Sequence, residues 1–515
     1  MKCSSRWDAI PFFFFLLGLL LSLFIAPLWN TSTTPVHALA QKSSNPTPDF
    51  AAIDRYLQEE VEATRIPGLA LAIVHEDQIV HLKGFGVADP SGRPVTPQTP
   101  FNIGSLSKTL TALAVLQLEE DGKIELDAPV QKYLPWFQVA DPDASAQITV
   151  LHLLNHTSGI PITAGNDYPA KDDTSDSALE NRVRALSTIR LDRTVGAGFE
   201  YSNANYDTLG MIVQVVSGLP YEKYIEQNIF APLEMKRSFL SRTDAHLYDP
   251  ATGYRMWFGF PFPYAGEIPR PHLPSGQHFS SAEDMAHLFI AYLNGGMYQD
   301  VSMLSETGIW KMQNSPVSSG PDCATYSMHW SHSSRCDSSS LWLGGDTANF
   351  KARVQVLPEE KWAVVILMNT QALWINGPRQ DRIDDGVIDL LRGKTPVSSN
   401  PHNMAIFGGV FFLTAVTLTL VAKMVRSITR FRRQNTGEPP KMGRGVILPL
   451  AIDILWVLIL ITMLRVTGGQ SSDHPLSFML ENAPDTAWVI LLSAVIALGW
   501  GVIRTILIYM RLERN

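Results

Sequence analysis

Apolar residues recur with two different periods in the middle of the chain, and each period predicts a different kind of element. Helical spacing, or long apolar stretches closed by glycine, predicts helices over residues 50–62, 105–121 and 205–217. Short apolar runs around polar turns predict two strand pairs, 69–74 with 79–87 and 351–357 with 362–368. Strands at both ends of this segment, with helices between them, predict one antiparallel sheet built from the two ends together with a helical region.

Longer apolar runs lie outside this body and predict membrane attachment. Lys2 and Arg6 precede an apolar run over 10–26, and residues 38–40 (ALA) offer a small-residue cleavage site. Residues 1–40 are therefore either a signal peptide or a retained N-terminal anchor. Three more apolar runs close the chain, and each reaches the ~20 residues that a helix needs to cross ~30 Å of hydrocarbon. They cover residues 404–422, 446–464 and 487–512.

The charge distribution orients these segments. The net formal charge of −8 divides into +1 for residues 1–40, −14 for residues 41–403 and +5 for residues 404–515. The link after the first C-terminal run is basic and the link after the second is acidic, so the positive-inside rule places the body outside and the C-terminus inside. The sequence predicts a multi-pass cell-membrane protein with the lipid bilayer as a partner. Its acidic body argues against nucleic acid as a partner, because phosphate binding needs clustered Lys and Arg.

Polar linkers rich in Pro and Ser bound the body on both sides. They lie at 41–48 and 394–403, so the extracytoplasmic domain is predicted over 49–393 and the membrane domain over 404–515.

Ser105 and Lys108 are the strongest candidates for chemistry. Residues three apart on a helix share a face, and a serine at a helix start has free backbone N–H groups near its Oγ that can stabilise an oxyanion. An apolar site favours the neutral form of a lysine, which suits it to accept the serine proton. The spacing alone is equally compatible with a capping serine followed by a solvated lysine.

The sequence around this pair resembles the serine β-lactamase and penicillin-binding-protein superfamily. Its likeness is to the class C β-lactamase-related branch, which includes D-aminopeptidases, carboxypeptidases and esterases. FNIGSLSKTLTAL resembles the first family motif, and eight further segments resemble the family in family order, among them IPGLALAIV, ITVLHLLNHTSGIP, FEYSNANYDTLGMIVQVVSG and GGDTANF. The resemblance implies an α/β (α+β) sandwich: an antiparallel sheet flanked by helices, with a helical lobe beside the cleft.

The resemblance also implies roles for the second motif, YxN. Tyr201 would share a proton relay with Lys108 and protonate the leaving group. Asn203 would form hydrogen bonds with a substrate carbonyl and with Lys108. A second match at Tyr292 lies in an amphipathic run and is interpreted as a packing residue. The alternative for Tyr201 is a buried phenol with a single hydrogen bond.

The third motif departs from the family. Leu343, Gly344 and Gly345 stand where the family has Lys-Thr-Gly or His-x-Gly, and the glycines allow a substrate backbone to approach the strand closely. By resemblance, the N–H of Asp346 would join that of Ser105 in an oxyanion hole.

Loss of the basic residue removes the group that would pair with a substrate carboxylate. Leu343 therefore puts recognition of β-lactams and D-Ala-D-Ala peptides in doubt. The alternative is that Lys351 or Arg353, on the next strand, supplies the charge.

The cysteines and histidines of the body are interpreted as structural residues rather than as cofactor ligands. Cys323 and Cys336 are predicted to form a disulfide because both lie in the oxidising extracytoplasmic body, the alternative being two free buried thiols. Four histidines lack a paired metal spacing and are interpreted as structural or surface residues, so no metal or cofactor is predicted. They are His152, His156, His329 and His332.

Together these features predict a membrane-anchored extracytoplasmic serine hydrolase that forms an acyl-enzyme. Ser105 would be the nucleophile, Lys108 the general base and Tyr201 the acid/base partner. The substrate would be an ester or amide of the cell envelope, a small molecule or a peptidoglycan-like compound. Two alternatives stay open: a catalytically silent penicillin-binding-like sensor, and a β-lactamase or D-Ala-D-Ala carboxypeptidase that works without the cation.

Overall fold

A computed structural model describes most of the predicted body and the last apolar run. The described residues are 48–166, 173–240, 242–265, 269–320, 324–332, 340–372, 377–396 and 483–512, with isolated positions between 422 and 480. The N-terminal segment and most of the runs over 404–422 and 446–464 lie outside them. Cys323 and Cys336 also lie outside the described residues, so their disulfide stays a prediction.

The body is organised around an antiparallel sheet of eight described strands. The strands are β1 (Gly68–His75), β2 (Gln78–Gly86), β3 (Val317–Ser318), β4 (Thr325–Ser327), β5 (Trp330–His332), β6 (Leu341–Asp346), β7 (Lys351–Leu357) and β8 (Trp362–Met368). Their order in the sheet is β2-β1-β8-β7-β6-β5-β4-β3. The first two strands pair with the last two, which confirms the prediction of a sheet built from both ends of the body.

Short strand pairs stand apart from this sheet. Phe101–Asn102 pairs with Phe279–Ser280, Met297–Tyr298 pairs with Val301–Ser302, and Tyr254–Trp257 lies between Phe260–Pro263 and Thr370–Gln371.

Helices cover both faces of the sheet. They are α1 (Phe50–Thr64), α2 (Ser107–Glu120), α3 (Pro142–Gln147), α4 (Val150–Leu154), α5 (Ile162–Asn166), α6 (Ala178–Arg184), α7 (Asn203–Ser217), α8 (Tyr221–Ile225), α9 (Arg242–His246), α10 (Ala282–Leu293), α11 (Glu306–Gln313), α12 (Gly377–Gln380), α13 (Ile383–Leu391) and α14 (Pro484–Leu512). Helices α1 and α13 pack on one face, and the helical region containing α2, α7 and α10 packs on the other.

Strand β1 shows how the sequence divides between two cores. Its side chains alternate between the faces of the sheet, because successive residues of a strand point to opposite sides. Ala70, Ala72 and Val74 join the core on the helical-region side, whereas Leu69 and Leu71 join the core under α1 and α13. Both faces of the strand are buried, so the apolar run is continuous rather than alternating.

The last predicted membrane run is a long helix. Within the part of the chain that the structure describes, one helix is long and apolar enough to cross a membrane: the segment Pro484–Ile506 of α14, with a mean hydropathy of 2.2. The structure therefore supports one of the three predicted C-terminal spans, and the other two fall on residues that are not described as continuous elements.

A buried histidine makes the stability of the body depend on pH. His278 is fully buried, and burial lowers its pKa to about 3. The unfolded chain binds a proton at this residue below about pH 6.5 and the folded chain does not, so stability is lost as the pH falls from about 6.5 toward about 3.

We expect the free energy of unfolding of the wild type to fall, between pH 7 and pH 5, by about 2 kcal/mol more than that of His278→Gln. Urea titrations of the detergent-solubilised chain at both pH values measure this difference. Equal losses in the two proteins would contradict it.

Candidate active site

Ser105 lies at a tight entry into helix α2. A 3₁₀ turn over Gly104–Leu106 precedes the α-helix, so the single helix predicted from residue 105 begins instead as a tighter turn. Gly104 has φ +52°, and a Cβ there would lie 2.8 Å from the backbone N of Asp346. The turn therefore packs directly against β6, and the serine is half-buried at this contact.

Lys108 follows one turn later and is fully buried. Its Nζ lies 3.1 Å from Ser105 Oγ and donates to Asn203 Oδ1 at 2.8 Å. It also donates to the carbonyl oxygen of Ser275. The capping-serine and solvated-lysine interpretation is therefore wrong for this pair, because the lysine is turned into the protein and touches the serine.

Tyr201 and Asn203 reach the same point from the loop before α7. The phenolic oxygen of Tyr201 lies 2.8 Å from Ser105 Oγ, and Asn203 is the first residue of the helix. Ser105, Lys108, Tyr201 and Asn203 thus form one hydrogen-bonded group, although about 95 residues separate the two halves.

The second YxN match is a packing residue, as interpreted from the sequence. Tyr292 is 5% exposed on α10, its hydroxyl contacts the sulfur of Met312, and its ring packs against Trp330.

His156, interpreted from the sequence as a structural or surface residue, positions the loop that carries Tyr201. Its Nδ1 accepts from the backbone N–H of Ser202 at 3.2 Å and from the side-chain amide of Asn205 at 2.8 Å. Its carbonyl accepts from the N–H of Glu200, and its ring centroid lies 4.6 Å from that of Tyr201.

This histidine is neutral in the folded protein. Burial, and secondly the nearby Lys108, hold the pKa of His156 well below its ordinary value. A neutral ring can accept at Nδ1 from both donors, so burial and hydrogen bonding together fix the loop.

The backbone between α9 and α10 also contributes to the site, and side-chain motifs do not reveal this contribution. The carbonyl of Ser275 accepts from Lys108, and the N–H groups of Gln277 and His278 donate to Ser107 Oγ. This segment therefore packs against the first turn of α2 and supplies one acceptor for Lys108.

The third motif lies on β6, against the turn that carries the nucleophile. A Cβ at Gly345 would lie 1.9 Å from the carbonyl oxygen of Ile103, so only glycine allows this approach. Leu343 is 1% exposed and points into the core on the same side of the sheet, where it brings no cation to the site.

Lys351 and Arg353 do not replace the missing cation. Both point to the opposite face of the sheet from Leu343, because Ala352 and Val354 occupy the core on the helical-region side. Lys351 Nζ pairs with Asp381 at 2.6 Å and with Asp346 at 3.1 Å, and Arg353 pairs with the same two carboxylates. The alternative in which the next strand supplies the charge is therefore wrong in this geometry.

The backbone of Asp346 is close to the nucleophile turn, as the oxyanion-hole interpretation requires. Its N lies against Gly104, the residue before Ser105. Its side chain turns away to Lys351 and Arg353, which leaves the backbone rather than the carboxylate facing the serine.

The histidines considered for metal binding have protein partners of their own. The Nδ1 of His152 accepts from the N–H of Thr149, the N-cap residue of α4, His329 is buried beside Tyr326, and His332 contacts the carbonyl of Gln313. Among the described residues, no group of three or more His, Cys, Asp or Glu is arranged to hold a metal ion.

Comparison with known proteins places this geometry in a family. The chain matches the Beta-lactamase family over residues 53–387, which takes in every element of the site. The chain belongs to the beta-lactamase family. Its members, which include β-lactamases and penicillin-binding proteins, are serine hydrolases.

The relatives that this beta-lactamase family protein resembles are diverse. It is 28% identical to protein flp of Staphylococcus aureus (strain N315) over 332 residues, which are 63% of this chain and 64% of flp. It is similar to the octameric penicillin-binding protein homologue from Pyrococcus abyssi, with 27% identity and a TM-score of 0.59, covering 68% of this chain and 79% of that one.

A class C β-lactamase from Rhodobacter sphaeroides shares the fold. The identity is 24% and the TM-score is 0.54, over 65% of this chain and 98% of that chain. The predicted β-lactamase-like sheet with flanking helices is thereby confirmed, whereas the membrane segments lie beyond the matched region.

Proposed function

We propose that this protein is a membrane-anchored serine hydrolase that acts outside the cytoplasm through an acyl-enzyme on Ser105. The observation that carries the proposal is the contact of Ser105 Oγ with both Lys108 Nζ at 3.1 Å and Tyr201 Oη at 2.8 Å. A nucleophile within hydrogen-bond reach of a base, which is itself oriented by further groups, is the arrangement that activates a serine.

The surroundings of Lys108 suit it to act as the base. A neutral amine has two N–H bonds and one lone pair, and the two fixed acceptors around it are Asn203 Oδ1 and the Ser275 carbonyl. With both N–H bonds directed to them, the lone pair faces Ser105 Oγ.

The first half of the reaction is then acyl transfer to the serine. Ser105 Oγ bonds to the substrate carbonyl carbon while its proton passes to Lys108 Nζ, and the carbonyl becomes an oxyanion that the N–H groups of Ser105 and Asp346 would stabilise. The bond to the leaving group breaks as that group receives the proton from Lys108 through Tyr201. Water then attacks the acyl-enzyme and releases the acid and Ser105.

Ester or amide substrates with a neutral acyl group fit this site best. The buried Leu343 stands where a cation would attract a carboxylate, and Lys351 and Arg353 are engaged with acidic residues on the other face. This favours neutral esters or amides of the cell envelope over β-lactams and D-Ala-D-Ala ends. The apolar helix α14 supports anchoring in the membrane.

Covalent labelling tests the proposal. Incubation of the full chain with a fluorophosphonate should give one adduct on Ser105, detected by peptide mass spectrometry. Ser105→Ala should abolish it, and Ser187→Ala, which removes an exposed serine hydroxyl, serves as the control for nonspecific labelling. An unlabelled but folded wild type would favour the catalytically silent binding module.

Substitution of Leu343 by lysine tests the substrate preference. The wild type should hydrolyse short p-nitrophenyl esters faster than nitrocefin or a D-Ala-D-Ala peptide. Leu343→Lys should shift the ratio toward the carboxylate substrates by about ten- to hundredfold, since a charge-assisted hydrogen bond contributes about 1.5–3 kcal/mol. The kcat/KM ratio of the two substrate classes measures it.

Leu343→Met is the matched control for this substitution. It conserves volume and adds no charge, so the ratio should stay as in the wild type. Wild-type turnover of nitrocefin as fast as that of the esters would overturn the preference for neutral acyl groups.

A further inference from the structure

A hairpin of exposed aromatic residues projects from the body on the side where the C-terminal helix begins. We define this aromatic hairpin as residues 254–263, the strands Tyr254–Trp257 and Phe260–Pro263 with their connecting turn. Phe258, Phe260 and Phe262 are 42%, 53% and 53% exposed. Three neighbouring exposed phenylalanines form an apolar patch, and such patches mark interaction surfaces.

The tip of the aromatic hairpin holds its phenylalanine at an energetic cost. Phe258 and Gly259 have φ +50° and +76°, as in the tight hairpin turn that prefers Asn-Gly or Gly-Gly. A bulky side chain in the left-handed region is strained, because its Cβ crowds the neighbouring backbone. Phe258 gains little burial within the protein in return, so its apolar surface is best explained by a contact outside the chain.

The hairpin tip is joined to the start of helix α14. The N–H of Phe258 donates to Asp485 Oδ2 at 2.7 Å, and Asp485 is only 6% exposed in the first turn of that helix. The tip and the beginning of the apolar helix therefore lie at the same level.

The aromatic residues of α14 indicate where that level lies in a bilayer. Trp488 and Tyr509 are 47% and 61% exposed. They are about 31 Å apart along the helix at 1.5 Å per residue, which equals the ~30 Å of a hydrocarbon core. Trp and Tyr prefer the two membrane interfaces. Asp485 then lies about 5 Å outside Trp488, in the headgroup region.

A cation accompanies the phenylalanines at the tip. The guanidinium of the exposed Arg65 lies 4.1 Å from the centroid of the Phe260 ring and donates to the Gly259 carbonyl at 3.1 Å. A basic group beside exposed aromatic rings matches the interfacial zone, where phosphates lie above acyl chains.

We propose that the aromatic hairpin inserts Phe258, Phe260 and Phe262 into the extracytoplasmic interface of the membrane that α14 crosses, with the bilayer lipid as its partner. The proposal rests on the membrane anchoring in the proposed function, because α14 must enter the bilayer near Asp485. It adds a second point of attachment, through the body itself.

The base of the hairpin connects this attachment to the active site. Asn349 Nδ2 donates to the Tyr264 carbonyl at 2.9 Å, and its own carbonyl accepts from the N–H of Tyr254. Asn349 lies in the turn that follows Asp346 at the end of β6. Insertion of the tip would therefore fix the orientation of the cleft toward the membrane surface, where envelope substrates lie.

Photo-crosslinking of the full chain tests the proposal. p-Benzoylphenylalanine is placed at position 260 or 262, in the chain reconstituted in nanodiscs of phosphatidylcholine and phosphatidylglycerol. It is a close aromatic replacement for an exposed phenylalanine, and thermal melting verifies that each variant is folded. Irradiation should give adducts with the mass of a phospholipid at both positions.

Two further positions make the outcome decisive. Trp310 is 62% exposed on α11, and the probe there should give no lipid adduct. Val495 is 65% exposed in the middle of α14, and the probe there should label lipid. Lipid adducts at 495 but none at 260 or 262 would overturn the insertion of the hairpin and leave the anchoring by α14 intact. Equal labelling at 260 and 310 would have the same meaning. Absence of adducts at 495 as well overturns the anchoring on which it rests.

Discussion

Replacement of Lys108 by alanine is expected to abolish acylation of Ser105. The lysine is the only basic side chain in the described site that contacts the serine oxygen, at 3.1 Å, and without a base the neutral hydroxyl has almost no nucleophilicity. Loss of a general base lowers rates by about 10²- to 10⁴-fold, which is the drop we expect in the second-order rate of fluorophosphonate labelling.

Two companion variants separate the loss of the base from a loss of fold. Lys108→Arg should be inactive too, because a guanidinium stays protonated in a protein and cannot act as a base. Lys123→Ala removes an exposed lysine just beyond the same helix and should label at the wild-type rate. A decrease of less than tenfold in Lys108→Ala, with an unchanged melting temperature, would show that another group is the base.

The predicted strand pairs agree with the structure because their signals are local. The runs around residues 75–78 and 358–361 are apolar segments closed by polar turns, and β1, β2, β7 and β8 match them within one residue. The strands β3, β4 and β5 have two or three residues each and no apolar alternation. They exist because neighbouring strands pair with them, which is information that local sequence does not carry.

The site also has a part that local sequence predicts and a part that depends on long-range contacts. Spacing alone brings Ser105 and Lys108 together, since three residues on a helix fix their relative positions. Physical reasoning from sequence cannot bring Tyr201 and Asn203 to them across about 95 residues, and the family resemblance was required.

Two contributors to the site had no usable signal in the sequence. The backbone of His156 has a left-handed conformation (φ +54°), and its ring packs against the rings of Tyr201 and Tyr326. The position of the histidine therefore depends on the packing of segments that are distant in the sequence. Ser275 acts through its carbonyl, a group that every residue has.

Replacement of Gly345 by alanine is expected to inactivate the site without changing any side chain that does chemistry. The added Cβ would lie 1.9 Å from the Ile103 carbonyl oxygen and 2.9 Å from the N of Leu106, both of which are backbone atoms that cannot rotate away. Strand β6 must therefore move off the turn that carries Ser105. This displaces the N–H of Asp346 from its place beside the nucleophile.

A displacement of about 1 Å in a reacting geometry can lower a rate by 10²-fold, so we expect at least about a hundredfold loss of fluorophosphonate labelling in Gly345→Ala. The melting temperature should fall as well, because the contact lies between two buried segments. Gly198→Ala is the matched control, since a Cβ at that position meets only the Arg193 side chain at 3.7 Å and should leave both measurements unchanged. Wild-type labelling by Gly345→Ala would mean that β6 can separate from the serine turn without harm, and the Asp346 N–H would then have no part in stabilising the oxyanion.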